Sequence, residues 1–343
     1  MAKAKKLTIG FTLNRSHGGP SLFMNKLRHS IELQNLCRTS YFFDPFVSAN
    51  LFANCVHRTP WPKPFFFRAD GVYFSSDLSE EERERRNAVL RDGVANARGV
   101  IFQSRFSLDM YQAILGVRPP HHTVICNGTD RTRFFPCASN DEARCKLREE
   151  LGLPLDSLVF ISSAAWRAHK RLTDTANVFH MIRNNGRSDC FLLIIGEHKE
   201  QLEAIDDHII SLGRIANDMI PQYLRASDIY LFFSWLDPCP NSVVEAIASG
   251  VPVVCTDQGG TREIVERGDG GVVAIGADEP FEPHVIDLYH PPRPDYEILY
   301  EAIRKVMDNL DQYRNRIKYE KLDINNVAAE YVNFIRDVMS GNA

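Results

Sequence analysis

Apolar runs of strand length recur along this chain, each closed by a polar or glycine-containing turn and followed by a stretch of helical periodicity. The pattern is densest between Asp228 and Val265. Ile229–Phe233 is a β-branched and aromatic run that predicts a buried strand, and Ser234–Pro240 a proline-stiffened loop. Asn241 is placed to cap a helix over Ser242–Ser249, which Gly250 ends. Val251–Thr256 predicts a second buried strand, leading through Gly259-Gly260 to another helix start at Thr261. Strand, loop, helix and strand in this succession imply an open parallel sheet, whose ligands bind where loops leave the carboxyl ends of strands.

The same grammar covers both halves. In the first, strands are predicted at Lys6–Leu13, within Pro64–Phe74, at Gly99–Phe102 and at Thr123–Cys126. Helices are predicted from Ser21, over Ser79–Arg98 and over Phe106–Leu115. In the second, strands are predicted at Leu158–Ala164, Phe191–Ile195 and Ile210–Leu212, with helices around Asp141–Leu151, Leu172–Asn185 and Asp218–Ala226. Five prolines between Pro280 and Pro294 mark an irregular connection, after which helices are predicted at Tyr296–Leu310, Gln312–Lys318 and Val327–Met339.

At 343 residues the chain has room for two domains, and 44% hydrophobic with 24% charged residues is an ordinary globular composition. No apolar run approaches the ~20 residues of a membrane span. The N-terminus MAKAKK has no signal-type apolar region, and none of the eight cysteines lies in a CxxC pair. These features point to a reducing cytoplasm. The net charge of −4 is unevenly divided: residues 1–137 hold 19 Lys/Arg against 11 Asp/Glu, and the remainder 21 against 33. A basic first half suits an anionic acceptor or peripheral contact with membrane headgroups. The EEERERR helix pairs opposite charges at i,i+4, which describes a solvated face and argues against a nucleic-acid partner. Nothing in the pattern marks a protein partner.

Candidate chemistry gathers at the strand exits. Asp237 and Glu245 are separated by seven residues. A phosphate at the helix start Asn241–Ser242 would lie between them, leaving Glu245 within reach of a ribose and Asp237 of sugar hydroxyls. Because Pro238 and Pro240 lack N–H groups, only Cys239, Asn241 and Ser242 donate from the backbone of that loop. Arg167, Lys170 and Arg171 follow a predicted strand and precede a helix, an arrangement that suits a phosphate. Gly18 and Gly19 form a turn that lets backbone N–H groups approach an anion. Arg68 and Asp70 stand two residues apart at another strand exit, placed for a polar site.

Asp237, Glu245, the segment Gly250-Val251-Pro252-Val253-Val254 and the turn Gly259-Gly260 together resemble the donor signature of glycosyltransferase family 4, with Asp237 where that family usually has Glu. VICNGTDRTRFFP, ending at Pro136, is similar to the family's exit from its first domain. The resemblance implies an α/β protein of the GT-B fold: two Rossmann-like domains with parallel sheets facing an interdomain cleft, residues 1–137 plus a last helix of about 324–343, and residues 138–323. It implies a retaining, metal-independent transferase that moves a hexosyl group from a nucleotide diphosphate sugar to a hydroxyl acceptor, with no cofactor, in polysaccharide or glycoconjugate synthesis. No Asp-x-Asp pair occurs in the chain. By the same resemblance Arg167 and Lys170 (or Arg171 in its place) meet the donor pyrophosphate, with Gly18 and Gly19 facing it. Asp237 holds sugar hydroxyls and Glu245 the ribose. Arg214 lies in a loop of the kind that holds the base, Asp70 stands near the reaction centre, and Arg68 is its charge partner on the acceptor side. Two other readings fit the same residues: a different GT-B enzyme such as a sugar-nucleotide epimerase or phosphorylase, and a non-catalytic nucleotide-sugar binder.

Overall fold

A computed structural model describes residues 7–12, 19–57 and 62–341. The chain divides into one unit of Met1–Asp130, Glu282–Ile286 and Glu320–Ala343, and a second of Arg131–Phe281 and Asp287–Tyr319. The division thus falls at Asp130 instead of 137, and the last segment of the first unit begins at Glu320 instead of 324. Glu282–Ile286 joins the first unit because Ile286 bridges Ser75, with the Ser76 amide donating to the Ile286 carbonyl at 2.7 Å.

The first unit runs β1 (Thr8–Phe11), α1 (Gly19–Leu33), β2 (Arg38–Tyr41), β3 (Ala49–Ala53), β4 (Phe65–Ala69), α2 (Glu80–Asn96), β5 (Gly99–Phe102), α3 (Arg105–Leu115) and β6 (His122–Val124). Its six strands are parallel, in the order β2-β1-β3-β4-β5-β6. Side chains alternate across the sheet. Phe66 and Ile101 enter the core shared with α1, while Phe67, Val100 and Phe102 enter the core shared with α2 and α3. Ser79 and Ser104 cap α2 and α3 by accepting the amides of Glu82 and Ser107. Two strands, β2 and β3, are absent from the apolar pattern. The first, RTSY, is an edge strand with no buried residue, so its sequence carries no core signal.

The second unit runs α4 (Glu142–Glu150), β7 (Leu158–Ser163), α5 (Leu172–Asn184), β8 (Cys190–Ile195), β9 (Ile209–Gly213), α6 (Ile220–Ala226), β10 (Ile229–Phe232), α7 (Asn241–Ala248), β11 (Val253–Thr256), α8 (Thr261–Gly268), β12 (Gly271–Ala274), α9 (Tyr296–Asp308) and α10 (Leu310–Arg316). The strands are again parallel, in the order β12-β11-β10-β7-β8-β9. Phe160, Leu192, Ile194, Ile229, Leu231 and Val254 pack one face of this sheet against α5 and α9. The third strand not anticipated, β12, opens on Gly271 at φ +150°, where a Cβ would lie 1.8 Å from the Val253 carbonyl oxygen. Only glycine fits that approach, and it hides the strand from a hydrophobic pattern.

After α10 the chain returns to the first unit as α11 (Ile324–Ser340), capped by Asp323 at the Asn325 amide. Its Val327, Tyr331, Val332, Ile335 and Val338 are buried beside Phe23, Leu27 and Ile31 of α1. Among the described residues no helix is long and apolar enough to cross a membrane. None of the eight cysteines forms a disulfide.

Candidate functional site

In the second sheet β7 has β8 on one side and β10 on the other, so the strand order reverses between β7 and β10. Loops leaving the carboxyl ends of such a pair diverge and open a crevice, the usual ligand position in an open α/β sheet. The loop after β7 carries Arg167 and Lys170, and the loop after β10 carries Asp237. The two are tied together. The Trp235 amide donates to the His169 carbonyl at 2.7 Å, and the Lys170 ammonium forms an ion pair with Asp237 Oδ2, both side chains largely buried. Lys170 and Asp237, singled out separately in the sequence, therefore form one unit across the switch point.

Asp237 is held from every side. Its Oδ1 accepts the Cys239 amide at 3.1 Å, and its carbonyl accepts the Gly260 amide at 2.8 Å. Gly259, at φ +97°, lets that turn approach, since a Cβ there would sit 3.0 Å from the Asp237 carbonyl oxygen. The Gly259-Gly260 turn thus braces the acid from behind. Leu236, beside it, is buried with φ at +58°, a costly conformation for a branched residue that surrounding contacts must enforce. Burial pushes the His169 imidazole down to about 4, and neighbouring Lys170 and Arg167 act in the same sense against Asp237. The ring is neutral at pH 7.

Beside this pair a cavity of about 480 Å³ opens at the carboxyl ends of β7, β8 and β9. That volume lies in the ~300–1,000 Å³ range of small-molecule sites. Arg167, Arg214 and Glu245 all line it, together with Trp166 and Glu197. Gly196, at φ +115°, shapes the floor: a Cβ there would meet the Ala164 carbonyl oxygen at 2.1 Å. The Trp166 indole is fixed by a 2.9 Å bond to the Ile195 carbonyl. Arg167 and Arg214 are exposed, and among the described residues neither guanidinium has a hydrogen-bond or ion-pair partner. Two uncommitted guanidiniums and a carboxylate facing one recess suit a ligand with anionic and hydroxyl groups. Trp166 and Glu197 escape a reading by charge clusters, although both closely follow the last residue of a strand.

Other sequence candidates lie differently. Arg171 is turned inward, with its side chain fully buried and paired with Asp278 at 2.7 Å, so it is not available as a substitute for Lys170 in meeting a phosphate. Burial in turn raises the Asp278 carboxyl above its ordinary range, against the pull of Arg171. Asn241 does not cap α7; it is the helix's first residue, and Pro240 occupies the cap without a side-chain bond. Ser242 is met by the Tyr230 hydroxyl, and Cys239 is buried.

In the first unit Arg68 and Asp70 form a buried ion pair. Arg68 also donates to Tyr331 Oη at 3.1 Å, Asn127 Oδ1 at 2.7 Å and Gln103 Oε1 at 3.3 Å, while Asp70 Oδ2 accepts from Asn54 at 2.6 Å. Such a saturated network fixes the exits of β3, β4 and β5 to α11 and leaves no guanidinium edge for a ligand. This geometry is that of a structural knot, in place of the polar ligand site expected at this strand exit. Gly19 begins α1, and Gly18 lies outside the described residues.

Residues 156–290, which contain all of the cavity and the Lys170–Asp237 pair, match the family described as Glycosyl transferases group 1. N-acetyl-alpha-D-glucosaminyl L-malate synthase of Bacillus anthracis is 30% identical over 141 residues, covering 39% of this chain and 36% of that protein. The chain spans less than half the length of the first curated relatives it matches. Sucrose-phosphate synthase from Thermosynechococcus elongatus superposes with a TM-score of 0.68 at 15% identity, over 98% of this chain and 100% of that one. Anabaena Alr3699/HepE in complex with UDP and glucose gives 0.65 at 14% identity, over 97% and 100%. Two six-stranded parallel sheets and the matched segment make this a chain of GT-B fold that carries a glycosyl transferases group 1 domain at residues 156–290.

Proposed function

We propose that the protein is a retaining glycosyltransferase that moves a hexosyl group from a nucleotide diphosphate sugar to a hydroxyl acceptor, without a metal. One observation carries the reading: Arg167, Arg214 and Glu245 line a single cavity at the carboxyl ends of β7, β8 and β9, and the loop that supplies Arg167 also carries Lys170 of the Lys170–Asp237 pair. A nucleotide diphosphate sugar needs cationic partners for the phosphates, an acceptor for the ribose hydroxyls and a second for the sugar. Arg167 and Lys170 answer the first need, Glu245 the second and Asp237 the third. Relatives support the class of substrate: the Anabaena neighbour is described with UDP and glucose bound.

In this reading, charge gathering on the departing diphosphate is met by fixed cations, a form of electrostatic preorganisation. Lys170 is already aligned by Asp237, so it needs little reordering when the donor arrives. Asp237 is one methylene shorter than the family's Glu and is braced by Gly260, which sets the sugar's position from a rigid point. The neutral His169 adds no positive charge to this already cationic loop.

The test is nucleotide diphosphate release from a panel of UDP-, GDP- and ADP-sugars with hydroxyl acceptors. Arg167→Ala is expected to lower turnover by about 10²–10³-fold, as loss of one preorganised donor does elsewhere. Turnover near that of the unmodified protein would overturn the assignment. Release from none of the donors would favour a nucleotide-sugar binder.

A further inference from the structure

A second cavity, of about 290 Å³, opens at the opposite end of the same sheet. It lies below the ~300–1,000 Å³ of drug-sized pockets, which suits a small ligand. Its wall is formed where the chain enters β10 and β11, by Ser227 and by Ser249-Gly250-Val251, and is completed by Cys137 and by α10. Three guanidiniums line it, Arg144, Arg225 and Arg314, against one carboxylate, Asp311.

The balance behind the wall does not remove the surplus. Asp228 accepts Arg144, Arg148 and Arg314 at 2.7 Å each, so one buried carboxylate serves three cations. Asp141, the nearby cap of α4, accepts the Arg144 amide and, still negative, lowers the surplus without removing it. Arg148 commits four N–H groups, to the Ala226, Leu155 and Ser157 carbonyls and to Asp228. Arg314 and Arg225 each commit a single described N–H, to Asp228 and to the Arg133 carbonyl. Ser249, 4% exposed, lines the cavity with an Oγ that has no hydrogen-bond partner. An orphaned buried hydroxyl beside an excess of guanidinium charge is a costly arrangement in a protein alone.

We propose that this cavity binds a phosphate dianion, held by Arg225, Arg314 and the Ser249 hydroxyl. A dianion meets the surplus of guanidinium charge on the lining, and guanidinium forks match its oxygens. The site is separate from the donor cavity, with which it shares no lining residue, and it does not depend on the transferase reading.

Cys137 supplies a local reporter, because it lines the cavity and is partly exposed, whereas Cys55 is exposed in the other unit. Site-resolved alkylation by iodoacetamide is to be followed with inorganic phosphate and with sodium chloride of equal ionic strength. Phosphate is expected to slow modification of Cys137 saturably and to leave Cys55 unchanged. The phosphate concentration needed should rise about tenfold or more in Arg314→Gln and Ser249→Ala, as for loss of a charge-assisted bond. Arg225→Gln, outside the Asp228 cluster, gives the same reading if Arg314→Gln does not fold. Equal protection by chloride, or unchanged protection in folded variants, would overturn the proposal. Tighter protection by glucose 6-phosphate than by phosphate would assign the dianion to a phosphate monoester, and weaker protection to the free ion.

Discussion

The imidazole of His169 sits in the loop that Trp235 and Lys170 tie to the β10 exit, and its proton affinity measures how that loop is packed. Burial pushes it from an ordinary value of 6.5 to about 4, with Lys170 adding to the effect. In the unfolded chain the same ring takes up a proton near pH 6.5. Between those values the unfolded state binds more protons than the folded one, so stability falls as pH drops from about 6.5 toward 4. His169→Gln, which cannot titrate, should lose less stability than the unmodified protein between pH 7 and pH 4.5, by about 1–2 kcal/mol after discounting for partial solvent contact. Urea unfolding at the two pH values checks this, and parallel losses in both proteins would show that the ring titrates normally. Asp237 belongs to the same scale. Its spacing from Glu245 is visible in sequence, whereas its partner Lys170 lies 67 positions away and is brought to it only by the reversal of strand order.

At the scale of elements, the start of β10 is fastened to α4 and α10 by Asp228. Despite burial, which alone would raise it, the carboxyl is held below its ordinary range by Arg144, Arg148 and Arg314. Its stabilising effect is present above the unfolded value of 3.8 and is lost as pH falls through the lower folded value. Asp228→Ala leaves three guanidiniums without their shared acceptor and should cost about 3–5 kcal/mol, measured by urea unfolding at pH 7. A loss below 1 kcal/mol would mean that the cations are solvated and the cluster contributes little. Helices were legible in sequence because caps such as Ser79, Ser104 and Asp141 announce them and apolar spacing continues them. Most buried strands were legible as apolar runs, although the short buried strand β3, interrupted by the polar Asn50, was not anticipated. The edge strand β2 and the glycine-led β12 were not, since the first buries nothing and the second is admitted by backbone approach instead of side-chain burial. The positions of Arg167, Lys170 and Asp237 were legible because each lies in a polar loop that follows an apolar strand. Charge alone misled at Arg171, because a sequence does not say whether a guanidinium faces a crevice or an interior carboxylate such as Asp278. The pairing of Arg68 with Asp70 was legible from their spacing, whereas the burial of that pair was not.

At the scale of the whole molecule, the chain leaves its first unit at Asp130, re-enters it briefly at Glu282–Ile286 and returns to it at Glu320, so that unit is completed by segments distant in sequence. The closing helix α11 does more than cover a surface. Val327, Tyr331 and Ile335 are 0–1% exposed, and the Tyr331 hydroxyl accepts from Arg68 at the exit of β4. Burying three large apolar side chains contributes about 1.5–3 kcal/mol each, and removing Tyr331 also takes an acceptor from a buried guanidinium. A chain truncated after Asp323 should therefore keep its second sheet and lose protection in its first. Hydrogen exchange followed by mass spectrometry is expected to show faster exchange in peptides from β1, β3 and β4, with those from β7, β8 and β10 little changed. Tyr331→Phe makes the finer test, because it keeps the ring and removes only the hydroxyl. Its effect should be confined to the strand exits that Arg68 holds, at Asn127, Gln103 and Asp70. Uniform acceleration across both sheets in the truncated chain would mean that the two units unfold as one.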